Sequence, residues 1–263
     1  MDQSTRAPRV RPRVIHVSPR VGLFVLVLFA YLVLILGVVH WSPFLTIDRD
    51  VFHLDLVQHF PGWFYPLHTY VMLGQRAPAT VVALPWFMWR AWKSQSPRPL
   101  LMLGTALVVL NLSVGVVKLA VGRLGPHATP KVHAVFEGGD IFPSGHVSNA
   151  VVLYGLIAML AVSYRRAVIA LAVLISFTVG LSTVYLDTHW VSDVFGGWIA
   201  GALVLIALPW VMPYVERIAD PAIRWGHRRL RRVMDKRSAR GEPQVEPALA
   251  GRPTVPPRPL SRT

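Results

Sequence analysis

The sequence predicts an all-α, polytopic membrane protein with six spanning helices, and three observations carry that expectation. Of its 263 residues 53% are hydrophobic and only 15% are charged, far from the balance of a soluble domain. The apolar residues come in blocks rather than amphipathic stripes, and six of these blocks approach the roughly 20 residues that cross a bilayer. The basic residues gather at alternate ends of the blocks, which is the charge pattern of a chain threaded back and forth through a membrane.

In chain order the first block covers 21–39. It is too long for a cleaved signal peptide and lacks a small-residue cleavage site, so it stays as an anchor. Residues 40–65 hold Trp41, Phe44, Trp63, Phe64 and Tyr65, with Phe52, Leu56 and Phe60 at four-residue spacing. That pattern suits a short helix in the outer interface, either flanking a lipid route or forming an aromatic belt that sets depth. The second block, 66–89, is interrupted by Arg76, Pro78 and Pro85, which a spanning helix tolerates when its neighbours satisfy the freed carbonyls. Blocks 100–121, 146–164, 167–186 and 193–214 complete the six. The clusters Arg228, Arg229, Arg231 and Arg232, and then Pro253, Pro256, Pro257 and Pro259, predict a basic juxtamembrane helix and a disordered tail. The expected organisation is a basic cytoplasmic N-terminus over 1–20, a membrane domain over 21–215 and a tail over 216–263.

The net charge of +14 is one-sided. Of 27 Lys and Arg, 22 fall in residues 1–20, 90–98, 165–166 and beyond 216, leaving 5 basic and 7 acidic residues for the other face. By the positive-inside rule both termini are cytoplasmic, in what is expected to be a plasma (inner) membrane, and the loops at 40–65, 122–145 and 187–192 face outward. Topology and contact with anionic lipid account for the charge, so no nucleic-acid partner is expected. The absence of cysteine excludes disulfides, thiolate catalysis and thiolate metal sites.

This threading brings three fragments to one membrane level. The third crossing delivers Lys118 and Arg123 to the outer mouth, the fourth starts there at Pro143-Ser144-Gly145-His146, and the fifth returns the chain to His189 and Asp193. Ser144 can cap a helix, and Gly145 leaves backbone N–H groups open to an anion at the positive end of the helix dipole. Asp193, four residues after His189, can orient one ring nitrogen and leave the other aimed as a nucleophile, while His146 protonates a leaving oxygen. Positioned cations and N–H donors then stabilise a phosphoryl group in transfer. Taken singly, HxxxD is a cap, PSGH a turn and Lys118 a snorkelling side chain; together they form a phosphate-ester site. A zinc ion on His146, His189 and Asp193 is the alternative chemistry.

These motifs resemble those of the type 2 phosphatidic acid phosphatase (PAP2) family, whose patterns are KxxxxxxRP, PSGH and SRxxxxxHxxxD. The resemblance covers about residues 65 to 215, with PSGH complete and HxxxD matched at His189 and Asp193. It implies a PAP2-like helical bundle in which His189 attacks phosphorus to give a phosphohistidine, Asp193 orients it and His146 is the general acid. Ser144, Gly145 and Lys118 would hold the phosphate, with no metal and no other cofactor. Two family arginines are missing, their positions holding Gly125 and Thr183. Arg123, and after it Arg76, are the expected replacements, while His127, Lys131 and His133 are expected as solvated loop residues. The function implied is hydrolysis of a lipid phosphomonoester or pyrophosphate at the extracytoplasmic face, with lipid phosphate and membrane lipids as partners. The alternatives are a phosphotransferase that uses the same intermediate on an alcohol acceptor, and a catalytically weakened protein that only binds lipid phosphate. No feature of the sequence selects a particular lipid or an oligomeric state.

Overall fold

The computed structural model describes residues 18–40 and 43–239, with side chains as far as residue 221. Most of the basic N-terminus, Trp41, the side chains of the Arg228 to Arg232 cluster and the Pro-rich end lie outside the described residues. Residues Met1–Glu216 form one compact unit and Arg217–Thr263 a second; the site belongs to the first.

The described residues are helical, with no strand among them. Helix α1 (Pro19–Val39) starts with proline at a position where the missing N–H costs nothing. Where the aromatic spacing predicts one interfacial helix, the chain makes α2 (Pro43–Phe52) and a single turn, α3 (Leu56–His59). Asp55 adopts φ 45° between them, so Phe52 and Leu56 do not share a continuous helix. The expected span 66–89 is likewise divided into α4 (Phe64–Tyr70), a 3-10 turn (Val71–Gly74) and α5 (Arg76–Ser94). Gln75 is extended (ψ 134°), which ends the turn and begins α5 with Arg76 at the mouth of the bundle. Then follow α6 (Arg98–Val121), α7 (Gly145–Leu160), α8 (Arg165–Tyr185) and α9 (Val191–Ala239).

Four of these, α1, α6, α8 and α9 over Val191–Pro221, are long and apolar enough to cross a membrane, and α7 is a shorter apolar helix. Outward-facing side chains such as Phe29, Val82, Leu112, Leu119 and Val173 are large, apolar and exposed, the inverse of a soluble surface. Helix α7 is the hub, packing on α5, α6 and α8. Its Leu153 and Leu156 are buried with Phe87, Leu103, Leu110 and Leu208. Lipid tails are as apolar as leucine, so association inside a bilayer depends on close contact, which small residues allow. Gly197 of α9 shows this: a Cβ there would stand 2.8 Å from the Ser144 carbonyl oxygen and 2.8 Å from the Val147 Cβ. That approach sets the start of α9 against the start of α7.

Candidate active site

Four pieces of chain meet around one cavity of about 260 Å³: the turn into α5, the end of α6, the start of α7 and the loop before α9. Gly74, Gln75, Arg76, Lys118, Asp140, Ile141, Gly145, His146, Asn149 and His189 line it. A larger cavity of about 390 Å³ between α7, α8 and α9 is almost wholly apolar, with Arg165 at one end. No histidine or carboxylate lines it, and its one hydroxyl, Ser176, donates back to the Ala172 carbonyl of its own helix, so the smaller cavity is the one with chemistry.

Local structure explains how the first cavity forms. Ser144 is extended and its Oγ accepts the Val147 N–H at 3.4 Å, capping α7; a cap of this kind contributes about 1 kcal/mol. The Ser144 N–H donates to the Asp193 carbonyl at 2.9 Å, which ties PSGH to HxxxD through the backbone. On the opposite wall a Cβ at Gly74 would stand 2.6 Å from the His146 carbonyl, so only glycine lets this turn close the pocket. The Asn149 side chain donates to the Gly74 carbonyl at 3.2 Å and the Tyr154 hydroxyl to the Leu73 carbonyl at 3.1 Å, which fixes the turn against α7.

The two imidazoles both line this space and meet edge to face, with ring centroids 5.9 Å apart and planes at 71°, so one phosphoryl group in the cavity can reach both. His189 precedes α9 rather than lying on it, so the four-residue spacing to Asp193 is not that of two residues on one helix face. Asp193 is near them for another reason: in the first turn of α9 its Oδ2 accepts the Trp190 N–H at 3.0 Å, half of a capping box. The same oxygen lies 3.6 Å from His189 Nδ1. This nitrogen is buried and has no hydrogen-bond partner.

The cations divide. Lys118 Nζ donates to the Asp140 carbonyl, lies 3.9 Å from the Asp140 carboxylate and 3.9 Å from where a Gly145 Cβ would stand. It opens to the cavity. Arg76 is exposed on the cavity wall and pairs with no carboxylate among the described residues. Arg123, the first expected replacement for the missing arginines, is fully buried and lines no part of the cavity. Its Nη1 donates to Asp193 Oδ1 at 2.6 Å and Ser192 Oγ at 2.7 Å, and its Nη2 to Asp48 Oδ2 and the Val132 carbonyl, each at 2.8 Å. With its donors engaged, Arg123 has none for a phosphate, which corrects the sequence expectation. Ser144 is corrected in part: its buried hydroxyl caps α7, and Gly145 and His146 are the members of the motif on the cavity wall.

Both vacated arginine positions are packed shut. A Cβ at Gly125 would stand 2.9 Å from Ile141 Cγ1, and Thr183 is buried with its hydroxyl donating to the Gly180 carbonyl at 2.7 Å. In the intervening loop His127 and Lys131 are exposed, while His133 Nε2 lies 2.7 Å from the Val39 carbonyl. Sequence reasoning missed Asp48, Ser192, Gly74 and Asn149. A lone aspartate on an interfacial helix, a serine, a glycine and an asparagine carry no pattern of their own.

Two carboxyls outside the spans have raised proton affinity. Burial pushes Asp48 up, and the donors of Arg123 and Ser192 pull it back. Burial also raises Asp187, opposed by the charge of His127. Asp48 receives the Ser192 N–H on Oδ1 at 2.8 Å and the Ser192 hydroxyl on Oδ2 at 2.5 Å, besides Arg123. Three donors and no acceptor are what an ionised carboxylate requires. No group of three His, Cys, Asp or Glu that could hold a metal occurs among the described residues.

Comparison with known proteins places this architecture. Residues 99–217 match the family model of the PAP2 superfamily. A segment of 96 residues is 38% identical to phosphatidylglycerophosphatase B of Bacillus subtilis (strain 168), covering 34% of this chain and 46% of that protein. The chain thus spans less than half the length of this curated relative. A crystal structure of a transmembrane PAP2 type phosphatidylglycerolphosphate phosphatase from Bacillus subtilis shares the fold at a TM-score of 0.63. That match has 24% identity and covers 74% of this chain and 98% of the other.

Proposed function

From the match of residues 99–217 to the PAP2 superfamily model and the geometry of the cavity, we propose that the chain is a PAP2-type integral membrane lipid phosphate phosphatase working through a phosphohistidine. The observation that carries this reading is the pair of imidazoles, 5.9 Å apart on one cavity that also receives Lys118 and Arg76. His189 Nε2 forms a bond to phosphorus as the bond to the lipid oxygen breaks, and His146 gives its proton to that leaving oxygen. Water, deprotonated by His146, then attacks phosphorus; the Nε2–P bond breaks and inorganic phosphate leaves. Lys118, Arg76 and the N–H groups at the start of α7 neutralise the charge on the equatorial oxygens.

The membrane domain covers 21–215 and makes six crossings, α5 and α7 joining the four longer helices. Helix α7 is about 24 Å long, short of the bilayer core by an amount that local thinning and flanking loops absorb. The one-sided basic charge puts both termini in the cytoplasm, makes 216–263 a cytoplasmic tail and opens the cavity on the extracytoplasmic face of the plasma membrane. A lipid fits this arrangement, its phosphate reaching the polar mouth while its tail stays among the exposed apolar side chains of the bundle. The relative named a phosphatidylglycerophosphatase makes phosphatidylglycerophosphate the first substrate to try, ahead of phosphatidic acid and polyprenyl pyrophosphate.

The test is phosphate release by purified protein from each of these lipids in micelles, with and without chelator. A parallel trap for labelled phosphoprotein is run on wild type and on His189→Ala. Turnover with a label that vanishes in the variant is expected; turnover without any His189-dependent label would overturn the mechanism.

A further inference from the structure

We propose that Asp48 is a positioning residue for the phosphoryl-transfer step: it engages Arg123 so that the charge of Asp193 stays available to His189. The inference rests on the phosphohistidine reading above. Asp48 lies on α2, outside the 99–217 match, and no motif points to it.

Asp48, Arg123 and Asp193 are all essentially without exposure, so no solvent screens them and an unbalanced charge acts on the nearest polarisable group. Arg123 divides its guanidinium, Nη1 taking Asp193 at 2.6 Å and Nη2 taking Asp48 at 2.8 Å. Two carboxylates against one guanidinium leave one negative charge in excess. The side of Asp193 not held by Arg123 is Oδ2, 3.6 Å from His189 Nδ1, and that nitrogen has no other partner. When Nε2 bonds to phosphorus the ring becomes a cation with its proton on Nδ1, and the surplus negative charge stabilises it. With Asp48 neutral, Arg123 and Asp193 would cancel, and the cationic ring would form without a counter-ion. Asp193 keeps its place through the Trp190 N–H as well as through Arg123, and Asp48 keeps the guanidinium from silencing it.

The test compares orthovanadate, which takes a fifth bond from a nucleophilic imidazole and so reports the transition state, with inorganic phosphate, which only fills the cavity. Both affinities are measured calorimetrically on the full chain in detergent, alongside phosphate release from phosphatidic acid micelles. For Asp48→Asn, vanadate affinity and kcat fall about 10- to 100-fold, as for loss of a charge-assisted interaction, while phosphate affinity changes less than about threefold. In Asp48→Asn with Arg123→Met the opposing charges leave together, an exchange buried ion pairs often tolerate, and vanadate affinity returns to within about threefold of wild type. Ser192→Ala removes hydrogen bonds but no charge, and it too stays within about threefold. A double variant as impaired as Asp48→Asn, or a Ser192→Ala loss equal to it, would make the role of Asp48 purely structural and overturn the proposal. Should Asp48→Asn not accumulate folded, the double variant alone decides by the same criterion. Wild type that releases no phosphate and binds vanadate no better than phosphate would instead sink the phosphohistidine reading itself.

Discussion

Residues 43–76 and residues 99–217 build opposite sides of the same site by different rules. The later segment supplies the two histidines, Asp193, Lys118 and the start of α7, all from short motifs whose spacing is visible in the chain. The earlier one supplies Gly74 and Arg76 from the broken stretch before α5, and Asp48 of α2 behind the cavity through Arg123, none of them with a motif. Within the later segment, Lys118 and Arg123 sit five residues apart near the end of one helix, yet Lys118 faces the cavity and Arg123 is sealed among carboxylates. A cation near an active site serves a ligand only if its donors are still unspent.

That contrast predicts that the two cations of α6 and its following loop fail in different ways. Arg123→Ala leaves Asp48 and Asp193 buried without a partner, a loss of about 3–5 kcal/mol. It should appear as a large fall in melting temperature in detergent and loss of folded protein; an unchanged melting curve would mean that the buried network is not holding the loop. Lys118→Ala should leave the melting curve in place and lower kcat/KM for phosphatidic acid about 10- to 100-fold, the range for one charged donor to a phosphate. Arg76→Ala should behave likewise with a smaller loss, about 10-fold, because its exposed guanidinium is better screened. Loss of activity for Lys118→Ala alone would confine phosphate binding to residues 99–217, and equal losses would put the replacement for the missing arginines on α5.

The smallest effect belongs to Asp187. Burial raises the proton affinity of its carboxyl in the folded chain, so the folded state holds that proton more firmly than the unfolded one. The resulting ionisation cost is absent below the ordinary carboxylate range and grows as pH rises through the raised value. Asp187→Asn should therefore melt slightly higher than wild type at neutral pH and equally at acidic pH. The difference should stay under about 1 kcal/mol, since water screens a partly exposed group. Asparagine also suits the φ of 52° at this position. A variant that melts lower at neutral pH would show that the charge pairs favourably with His127.

Much of this molecule was legible in its sequence because the governing forces are local or one-dimensional. Block length and hydropathy identify α1, α6, α8 and α9 as long apolar helices. The Ser144 cap follows from Pro-Ser-Gly ahead of an apolar run, and one apolar block down followed by one back up predicts that His146 and His189 come near each other. The sequence alone therefore determined the helical class and which imidazoles could meet. Only the tertiary structure decided what each charge does. It divided the block 66–89 at Gly74 and Gln75, closed Gly125 against Ile141, and sealed Arg123 between Asp48 and Asp193, 75 and 70 residues away in the chain. The physical reason is that hydropathy and helix rise add up residue by residue, whereas the environment of a charge depends on which distant groups reach it and whether water does.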